Sequence, residues 1–324
     1  MFPYIVADIG GTNARFALAT GKDGQKFTIE HVNILSGADY SQFQDALTAY
    51  IESLNGIEPT GACVAIAGPI DGDKVKMTNL AWEFSKKDVQ AQFGFSTFDV
   101  INDFAAVAVA TSIFPEEVLT EIKPGDFNPK ANKAIIGAGT GLGVACLAYD
   151  PAHDSWLPMP SEGGHVNMAP ATEFEADVIK AAIKRFGHAS AEVLVSGPGL
   201  VNLYQSICDV KGETPKEYSP ADISGNALSN EDELCRLTLE TFCAFLGTVS
   251  GNIVLTYGAK GGVYVAGGIV PRFVDFLKES PFIERFKNKG IMSHYVENQR
   301  VVLMDHDHTA FLGAAAWFSQ ISAS

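Results

Sequence analysis

The sequence predicts an α/β protein with two similar lobes, because one strand–turn–strand pattern occurs twice along the chain. The first copy, Ile5–Leu18, is an apolar run that reaches Asp8, crosses a glycine turn and resumes as an alternating strand. The second copy, Ile135–Leu147, has the same order of apolar strand, glycine and threonine turn, and alternating strand. Elsewhere, strands alternate with helical patterns, which is typical of a mixed sheet with helices on its faces.

The first turn, Gly10-Gly11-Thr12-Asn13, has the composition of an anion-binding turn. Two adjacent glycines let backbone amides approach a phosphate because no Cβ intervenes, and Thr12 and Asn13 add side-chain donors. Asp8, at the end of the strand, would hold the water shell of a metal ion. For the two glycines taken alone, an ordinary tight hairpin turn is the alternative.

The second turn, Gly139-Thr140-Gly141, repeats this chemistry and favours two turns that hold one phosphate chain from opposite sides. It precedes a strand rather than a helix and lacks the Gly-Lys-Ser/Thr ending, so it is neither a dinucleotide fingerprint nor a P-loop. A further pair, Gly267-Gly268, follows a buried strand and would let adenine lie against the backbone. Close packing of a strand on a helix explains that pair equally well.

Composition places the chain among soluble α/β proteins. Its 324 residues suffice for two domains, and 47% of them are hydrophobic and 19% charged. A formal net charge of −15 argues against nucleic-acid binding, because an acidic protein surface repels the polyanion. The five cysteines lack metal-binding spacing and predict reduced core residues in a cytoplasmic protein. No apolar stretch is expected to span a membrane, and no leader peptide is expected before the first strand.

Hydrophobic periodicity predicts the elements of the first half of the chain. A third strand is expected over Lys26–Leu35, and a helix over Ser41–Leu54, where apolar residues recur at helical spacing. A short buried strand over Cys63–Ala67 follows. Ser85 caps a helix that precedes another buried strand, Phe98–Ile101.

Polar residues follow these strands at the edge where α/β sheets bind ligands. Asn102 and Asp103 come after the strand Phe98–Ile101 and before an Ala-rich helix. A helix N-cap is the structural alternative for this pair, whereas a carboxylate in the same cleft as two phosphate turns favours a functional role. Asn79 lies in a loop that would line the same cleft, and a plain loop is the alternative there.

The second half of the chain is predicted to alternate loops with helices. Residues 111–133 and 149–160 are expected to be irregular, and residues 211–229 to form an exposed loop. The remaining elements are helices over Thr172–Phe186, from Leu200, over Glu231–Tyr257, from Val270 and over Thr309–Ile321, and strands within Gly261–Gly268 and over Val301–Met304.

A glycine-flanked loop, Ser161–His165, places Glu162 and His165 three residues apart. A carboxylate acceptor beside an imidazole that can donate or accept suits a polyhydroxylated ligand. A metal pair without a third ligand, or a surface pair with no role, is the alternative. Glu192 stands alone in the sequence and is expected to be a solvated surface residue.

Six motifs together resemble the bacterial glucokinase family, which belongs to the superfamily of hexokinases, actin and the Hsp70 ATPase domain. They occur in this order over nearly the whole chain: Asp8–Asn13, Asn102–Phe104, Gly137–Gly143, Ser161–His165, Ser196–Leu200 and Ala266–Ile269. The resemblance implies an α/β, two-lobed actin-like (duplicated ribonuclease H-like) ATPase fold with a central cleft. The lobes would comprise residues 1–112 with 306–324, and residues 113–305.

The resemblance also implies ATP-dependent phosphorylation of glucose to glucose 6-phosphate, the first step of glycolysis, by a cytoplasmic homodimer. Asp103 would be the general base at the sugar 6-hydroxyl. The sugar ligands would be Asn79, Asn102, Asp103, Glu162, His165 and Glu192. The nucleotide ligands would be Asp8, Gly10, Gly11, Thr12, Asn13, Gly139, Thr140, Gly141, Gly267 and Gly268. Mg²⁺ would accompany ATP, with Asp8 reaching the metal through water.

Two departures limit what is carried over from related proteins. The zinc-binding cysteine motif of the related repressor and sugar-kinase group is missing, so zinc and DNA binding are not expected. Asn167-Met168 replaces the Asp-Phe expected after His165-Val166, which bears on sugar preference. Three alternatives stay open: a kinase of this fold for mannose, an amino sugar or acetate; a sugar-sensing regulator without turnover; and an ATPase machine like Hsp70, which would lack the sugar-facing set.

Overall fold

A computed structural model describes residues 2–68, 70, 72–77 and 80–323 of the chain. Packing separates the chain into two compact units. The first unit comprises Met1–Glu116, Trp156–Pro160 and His306–Ser324, and the second comprises Glu117–Ser155 and Ser161–Asp305. Each unit has its own hydrophobic core.

The first unit is a five-stranded sheet with helices. Its strands are β1 (Tyr4–Ile9), β2 (Asn13–Asp23), β3 (Lys26–Ser36), β4 (Gly61–Ile66), β5 (Lys74–Lys76), β6 (Glu83–Ser85) and β7 (Thr97–Asn102). Its helices are α1 (Phe43–Ser53), α2 (Lys86–Phe93), α3 (Asp103–Ala110) and, from the end of the chain, α12 (Thr309–Ile321). The sheet order is β3-β2-β1-β4-β7, and β5 pairs with β6 in a separate ribbon.

The helix α12 packs in the first unit although it ends the chain. The Tyr4 ring of β1 stacks on the Phe318 ring at 4.1 Å between centroids. A Cβ on Gly313 would lie 1.8 Å from the carbonyl oxygen of Ala106 in α3, so only glycine allows the two helices to approach this closely. The first unit is therefore built from both ends of the sequence.

The second unit contains more helices. Its strands are β8 (Thr120–Lys123), β9 (Lys133–Ala138), β10 (Leu142–Asp150), β12 (Val263–Ala266) and β13 (Val301–Leu303). A further strand, β11 (Ser155–Ser161), follows β10 in the chain, and its residues Trp156–Pro160 are grouped with the first unit. Its helices are α4 (Glu173–Phe186), α5 (Ala191–Leu194), α6 (Gly197–Lys211), α7 (Pro220–Ser229), α8 (Glu233–Tyr257), α9 (Val274–Glu279), α10 (Phe282–Lys287) and α11 (Ser293–Val296). The strand order is β10-β9-β12-β13-β8.

The two sheets repeat one topology, as the duplicated sequence pattern predicts. In the first, the antiparallel hairpin β1–β2 is extended on the β1 side by the parallel strands β4 and β7. In the second, the antiparallel hairpin β9–β10 is extended on the β9 side by the parallel strands β12 and β13. Each glycine turn therefore lies at the carboxyl end of a strand that is hydrogen-bonded on both sides.

The long helix α8 corrects the expectation that no segment is long and apolar enough to cross a membrane. Glu233–Tyr257 has 25 residues and a mean hydropathy of 1.3 in its most apolar window. However, 83% of that window is buried inside the protein. The phenyl rings of Phe242 and Phe245, for example, are fully buried in the core of the second unit. This burial identifies α8 as a core helix. A core helix can have the same length and apolar composition as a membrane-spanning helix.

The expectation of loops was wrong at three places. Residues 111–133 include β8, and residues 149–160 include most of β11, two short strands whose formation depends on pairing rather than on local sequence. Residues 211–229 include α7, which starts at Pro220 with a complete capping box made by Ser219 and Asp222. That capping box was a readable signal, since serine at the N-cap, proline at the next position and an acidic residue two further on are typical of a helix start.

Candidate active site

The turn between β1 and β2 is tight and accessible. The Gly10 amide donates a hydrogen bond to the Asn13 carbonyl at 3.0 Å, and the Gly37 amide donates to the Thr12 carbonyl at 2.9 Å. These two bonds fix the turn from inside and from the side of β3. Gly11, Thr12 and Asn13 are exposed, so this turn can be reached by an anionic ligand.

Asp8 lies two residues before this turn on β1. Its side chain is 28% exposed, and its Oδ2 lies 3.8 Å from Nη1 of Arg15. Burial raises the pKa of the Asp8 carboxyl above its ordinary value, and the positive charge of Arg15 opposes that rise. Asp8 is therefore a half-buried carboxylate beside a turn rich in donors.

Asn102 and Asp103 lie at the same edge of the first sheet as Asp8. The parallel register pairs Ile9 with Ile66 and Ile66 with Asn102, so β1, β4 and β7 end together. Two strand spacings amount to about 10 Å, which is the separation expected between the backbones at the ends of β1 and β7. The edge thus presents two carboxylates, that of Asp8 near the end of β1 and that of Asp103 directly after β7.

Asn102 is the N-cap of α3, the structural alternative given for it above. Its Oδ1 accepts a hydrogen bond from the Ala105 amide at 2.9 Å, and its Nδ2 donates to the Gly68 carbonyl at 3.1 Å. Asp103 is the first residue of α3, is half-buried, and accepts a hydrogen bond from the Phe104 amide on Oδ1 at 2.7 Å. A carboxylate at this position is stabilised by the helix dipole.

Asn79, the further sugar ligand expected from the sequence, lies outside the described residues.

In the second unit, three glycine segments meet at the end of β9. The Gly139 amide donates to the Gly141 carbonyl at 2.8 Å, and the Gly139 carbonyl accepts from the Gly197 amide at the start of α6, also at 2.8 Å. Gly267 has φ +85°, and a Cβ there would lie 2.4 Å from the Ala138 carbonyl oxygen. Gly268 and Thr140 are exposed. This cluster is a backbone surface with few side chains, which suits close approach by phosphate or by a flat ring.

Glu162, His165 and Glu192 come together in the second unit. His165 Nε2 lies 3.8 Å from Glu162 Oε2 and 3.8 Å from Glu192 Oε1. Glu162 and His165 have side chains that are 69% and 59% exposed, whereas Glu192 is only 31% exposed. The expectation from sequence context that Glu192 is a solvated surface residue was therefore wrong. Its Oε2 accepts a hydrogen bond from the Leu142 amide at 2.8 Å.

Two side chains that sequence reasoning missed hold this group in place. Ser196 caps α6 by accepting from the Gly199 amide at 2.9 Å, and it donates to the Glu192 carbonyl at 2.8 Å. Tyr257, at the end of α8, donates to Ser161 at 2.8 Å. The Ser-Gly-Pro-Gly pattern indicated the turn at Ser196 but not its bond to Glu192, and nothing in the local sequence marks Tyr257.

Oxygen donors suitable for a metal ion are sparse. Over the described ranges, which omit residues 1, 69, 71, 78, 79 and 324, the structure contains no group of three or more His, Cys, Asp or Glu side chains that could hold a metal ion. One carboxylate beside the β1–β2 turn, Asp8, fits an ion that is held mainly by phosphate oxygens and keeps most of its waters, as Mg²⁺ does.

Comparison with known proteins identifies the family. The glucokinase family model matches residues 5–321. A glucokinase from Saccharophagus degradans is 60% identical over 321 residues, which cover 99% of each chain. A glucokinase from Hahella chejuensis is 42% identical over 96% of this chain and 95% of its own.

Solved structures agree with this assignment. The crystal structure of a glucokinase from an Antarctic psychrotroph has a TM-score of 0.91 and 41% identity, covering 99% of each chain. A ROK family glucokinase from Streptomyces griseus, described in complex with glucose and AMPPNP, has a TM-score of 0.64 over 98% of this chain and 99% of its own; at 17% identity this likeness concerns the fold. The predicted α/β, actin-like fold class is confirmed, and the chain belongs to the glucokinase family.

Proposed function

We propose that this protein transfers the γ-phosphoryl group of ATP to the 6-hydroxyl of glucose. The observation that carries the proposal is the shared edge of the first sheet, where the Asp103 carboxylate follows β7 and the turn that begins at Gly10 follows β1. A base and a phosphate-binding turn at one edge are the two parts that phosphoryl transfer to an alcohol requires. Membership of the glucokinase family supports glucose as the acceptor.

The sugar would be held by side chains that offer both acceptors and donors. Glu162, His165 and Glu192 form one cluster in the second unit, and Asn102 and Asp103 form another at the end of β7. Each of these residues, and Asn79, would contact a sugar hydroxyl. A site of this kind discriminates against analogues that lack a hydroxyl, because polar groups that the bound sugar covers would then be unpaired.

Asp103 would accept the proton of the 6-hydroxyl. A primary alcohol is a weak nucleophile, and removal of its proton by a positioned base contributes roughly a hundred- to ten-thousandfold to the rate. Asp103 is half-buried at the start of α3, where its Oδ1 accepts a hydrogen bond from the Phe104 amide and the helix dipole favours a negative charge. Its role is to hold the acceptor oxygen in line and to take its proton.

The glycine turns would bind the nucleotide. The backbone amides and side chains of Gly10, Gly11, Thr12 and Asn13 in the first unit, and of Gly139, Thr140 and Gly141 in the second, would donate to phosphate oxygens. Gly267 and Gly268 would lie against the adenine. Mg²⁺ bound with ATP would neutralise charge on the transferred group, and Asp8 would hold the waters of that ion.

The proposal also covers the lobe bounds, the cellular location and the oligomeric state. The lobes are proposed as residues 1–112 with 306–324 and residues 113–305, whereas packing also groups residues 113–116 and Trp156–Pro160 with the first unit. The enzyme acts in the cytoplasm as a homodimer and supplies the first step of glycolysis. These statements rest on the resemblance of the motifs to bacterial glucokinases, and light scattering coupled to size-exclusion chromatography tests the dimer directly.

A coupled assay tests the activity itself. Purified protein is given glucose, mannose, fructose, glucosamine or acetate, each with and without Mg-ATP, and ADP formation is followed. The expected result is turnover that depends on ATP and is fastest with glucose. Faster turnover with another acceptor would assign the chain to a different kinase of this fold, and binding of glucose without ADP formation would identify a sugar sensor.

A further inference from the structure

The carboxylate of Glu192 contacts two parts of the second unit that are assigned to different ligands. Its Oε2 accepts a hydrogen bond of 2.8 Å from the Leu142 amide, the first residue after the Gly139–Gly141 turn. Its Oε1 lies 3.8 Å from Nε2 of His165. One side chain therefore joins the turn proposed for the nucleotide to the imidazole proposed for the sugar.

The turn itself is shaped around this carboxylate. A Cβ on Gly141 would lie 2.5 Å from Glu192 Oε2 and 3.3 Å from its Cδ. A Cβ on Gly139, in the same turn, would meet nothing within 4 Å. A side chain at position 141 would therefore displace the Glu192 carboxylate, whereas the backbone conformation itself does not demand glycine there, since neither residue has a positive φ.

The backbone around Glu192 is tied to the same turn. The Glu192 carbonyl accepts a hydrogen bond from Ser196 Oγ, and the residue after Ser196, Gly197, donates its amide to the Gly139 carbonyl at 2.8 Å. Both ends of the turn, Gly139 and Leu142, are therefore hydrogen-bonded to the segment 192–197. Movement of Glu192 would be transmitted to the turn through two separate hydrogen bonds.

We infer that Glu192 is a positioning residue that couples sugar binding to nucleotide binding within the second unit. The inference rests on the proposed function, in which Glu192 accepts a sugar hydroxyl. A sugar that fixes the Glu192 carboxylate also fixes the Leu142 amide and, with it, the Gly139–Gly141 turn. The nucleotide then binds to a turn that is already ordered, so each ligand increases the affinity for the other by the same factor.

The coupling factor is measured by calorimetric titration. The Kd of AMPPNP with Mg²⁺ is determined without glucose and with saturating glucose, in the wild type and in variants. For the wild type we expect glucose to strengthen AMPPNP binding by about fivefold or more. In Glu192→Ala the factor falls to about one, and in Glu192→Gln it partly returns, because the amide oxygen still accepts from Leu142.

Glu162→Gln is the matched control, because Glu162 also faces His165 at 3.8 Å but no hydrogen bond joins it to the turn among those described. This variant should weaken glucose binding and retain the wild-type coupling factor. A wild-type factor near one, or an unchanged factor in Glu192→Ala, would overturn the inference. Absence of glucose binding by the wild type would instead contradict the proposed function.

A second pair of variants tests the coupling from the nucleotide side. Gly141→Ala should displace the Glu192 carboxylate and weaken glucose binding about threefold or more without any nucleotide present. Gly139→Ala places the same methyl group in open space, so its effect on glucose affinity should be smaller. Circular dichroism confirms that both variants are folded. Equal glucose affinities in the two variants would contradict a positioning role for Glu192.

Discussion

The hydroxyl of Tyr257 donates a 2.8 Å hydrogen bond to Ser161 Oγ. Ser161 in turn donates to the Val144 carbonyl at 2.9 Å and accepts from the Gly163 amide at 3.3 Å. The last residue of α8 therefore helps to hold the loop that carries Glu162 and His165, and a core helix is connected to the candidate sugar site.

Tyr257→Phe should raise the KM for glucose while kcat stays within about twofold. Loss of one hydrogen bond is worth about 0.5–1.5 kcal/mol, which corresponds to a KM increase of about two- to tenfold. Steady-state kinetics with varied glucose and saturating ATP measures both KM and kcat. Tyr149→Phe is the control, because that hydroxyl bonds the exposed Asp154 instead. An equal KM in both variants would show that the Tyr257 bond does not position the loop.

Asp103→Asn should keep glucose affinity within about threefold while kcat falls by about a hundredfold or more, because the amide cannot take the proton. Glucose affinity is measured by calorimetry and kcat by the coupled assay. Asp99→Asn is the matched control on the same strand. Asp99 lies within the strand and not at its end. Its carboxylate accepts a hydrogen bond from Trp317 Nε1 at 2.9 Å and pairs with Lys86 Nζ at 3.2 Å. Wild-type turnover in Asp103→Asn would remove this residue from the role of base.

Asp8 should make activity and stability respond to pH in opposite senses. Burial raises its pKa in the folded protein, so the carboxylate becomes protonated at a higher pH than in the unfolded chain. The KM for Mg-ATP should therefore rise as the pH falls toward that pKa. In Asp8→Asn the KM should be high throughout and lose this dependence.

The same shift predicts that Asp8→Asn is more stable than the wild type near neutral pH. A raised pKa contributes stability that is fully present below the unfolded-state pKa and is lost as the pH rises through the folded-state pKa. The difference in Tm should therefore shrink in acid. A variant that is less stable than the wild type at neutral pH would show that Arg15 outweighs the burial.

Glu175 and Arg285 form a buried ion pair in the second unit, with Nη1–Oε1 and Nη2–Oε2 distances of 2.9 and 3.0 Å. Glu175→Gln should lower the free energy of unfolding by about 3–5 kcal/mol, because it leaves a buried guanidinium without its counter-charge. The exposed pair Arg236–Glu240 offers the comparison, and Glu240→Gln should cost less than about 1 kcal/mol. Urea unfolding of both variants measures the difference, and similar losses would contradict the argument.

Lys289 should make stability rise with pH in the alkaline range. Burial, and secondarily the charge of Arg285, lowers the pKa of Lys289 to about 8 from 10.5. Between these values the unfolded chain binds more protons than the folded protein, so raising the pH favours folding. Urea unfolding at several pH values across this interval should show the rise in the wild type and its loss in Lys289→Met. Parallel curves for the two proteins would contradict the shift.

Local sequence was sufficient for the hairpins, the glycine turns and most helices. Neighbouring residues in the chain specify the turns at Gly10 and Gly139 and the alternating strands that follow them. The helix α12 was predicted with the observed bounds, Thr309–Ile321. The strands β8 and β11 were missed because proline and polar residues in and around their segments suggested loops, so that only pairing with a neighbouring strand reveals them. The helix α7 was missed for a different reason, since its proline and serine residues suggested a loop although they form its cap.

The sequence by itself determined the α/β class, the duplicated strand–turn–strand units and the residue types offered to ligands, because these follow from periodicity and turn chemistry within short segments. Only the tertiary structure decided which of those residues meet. The sequence around Glu192 predicts a solvated side chain, whereas in the folded protein its carboxylate accepts a hydrogen bond from the Leu142 amide. The role of Tyr257 follows only from its hydrogen bond to Ser161. Hydrogen-bond partners distant in sequence depend on how elements pack, and neither composition nor spacing within a segment specifies that packing.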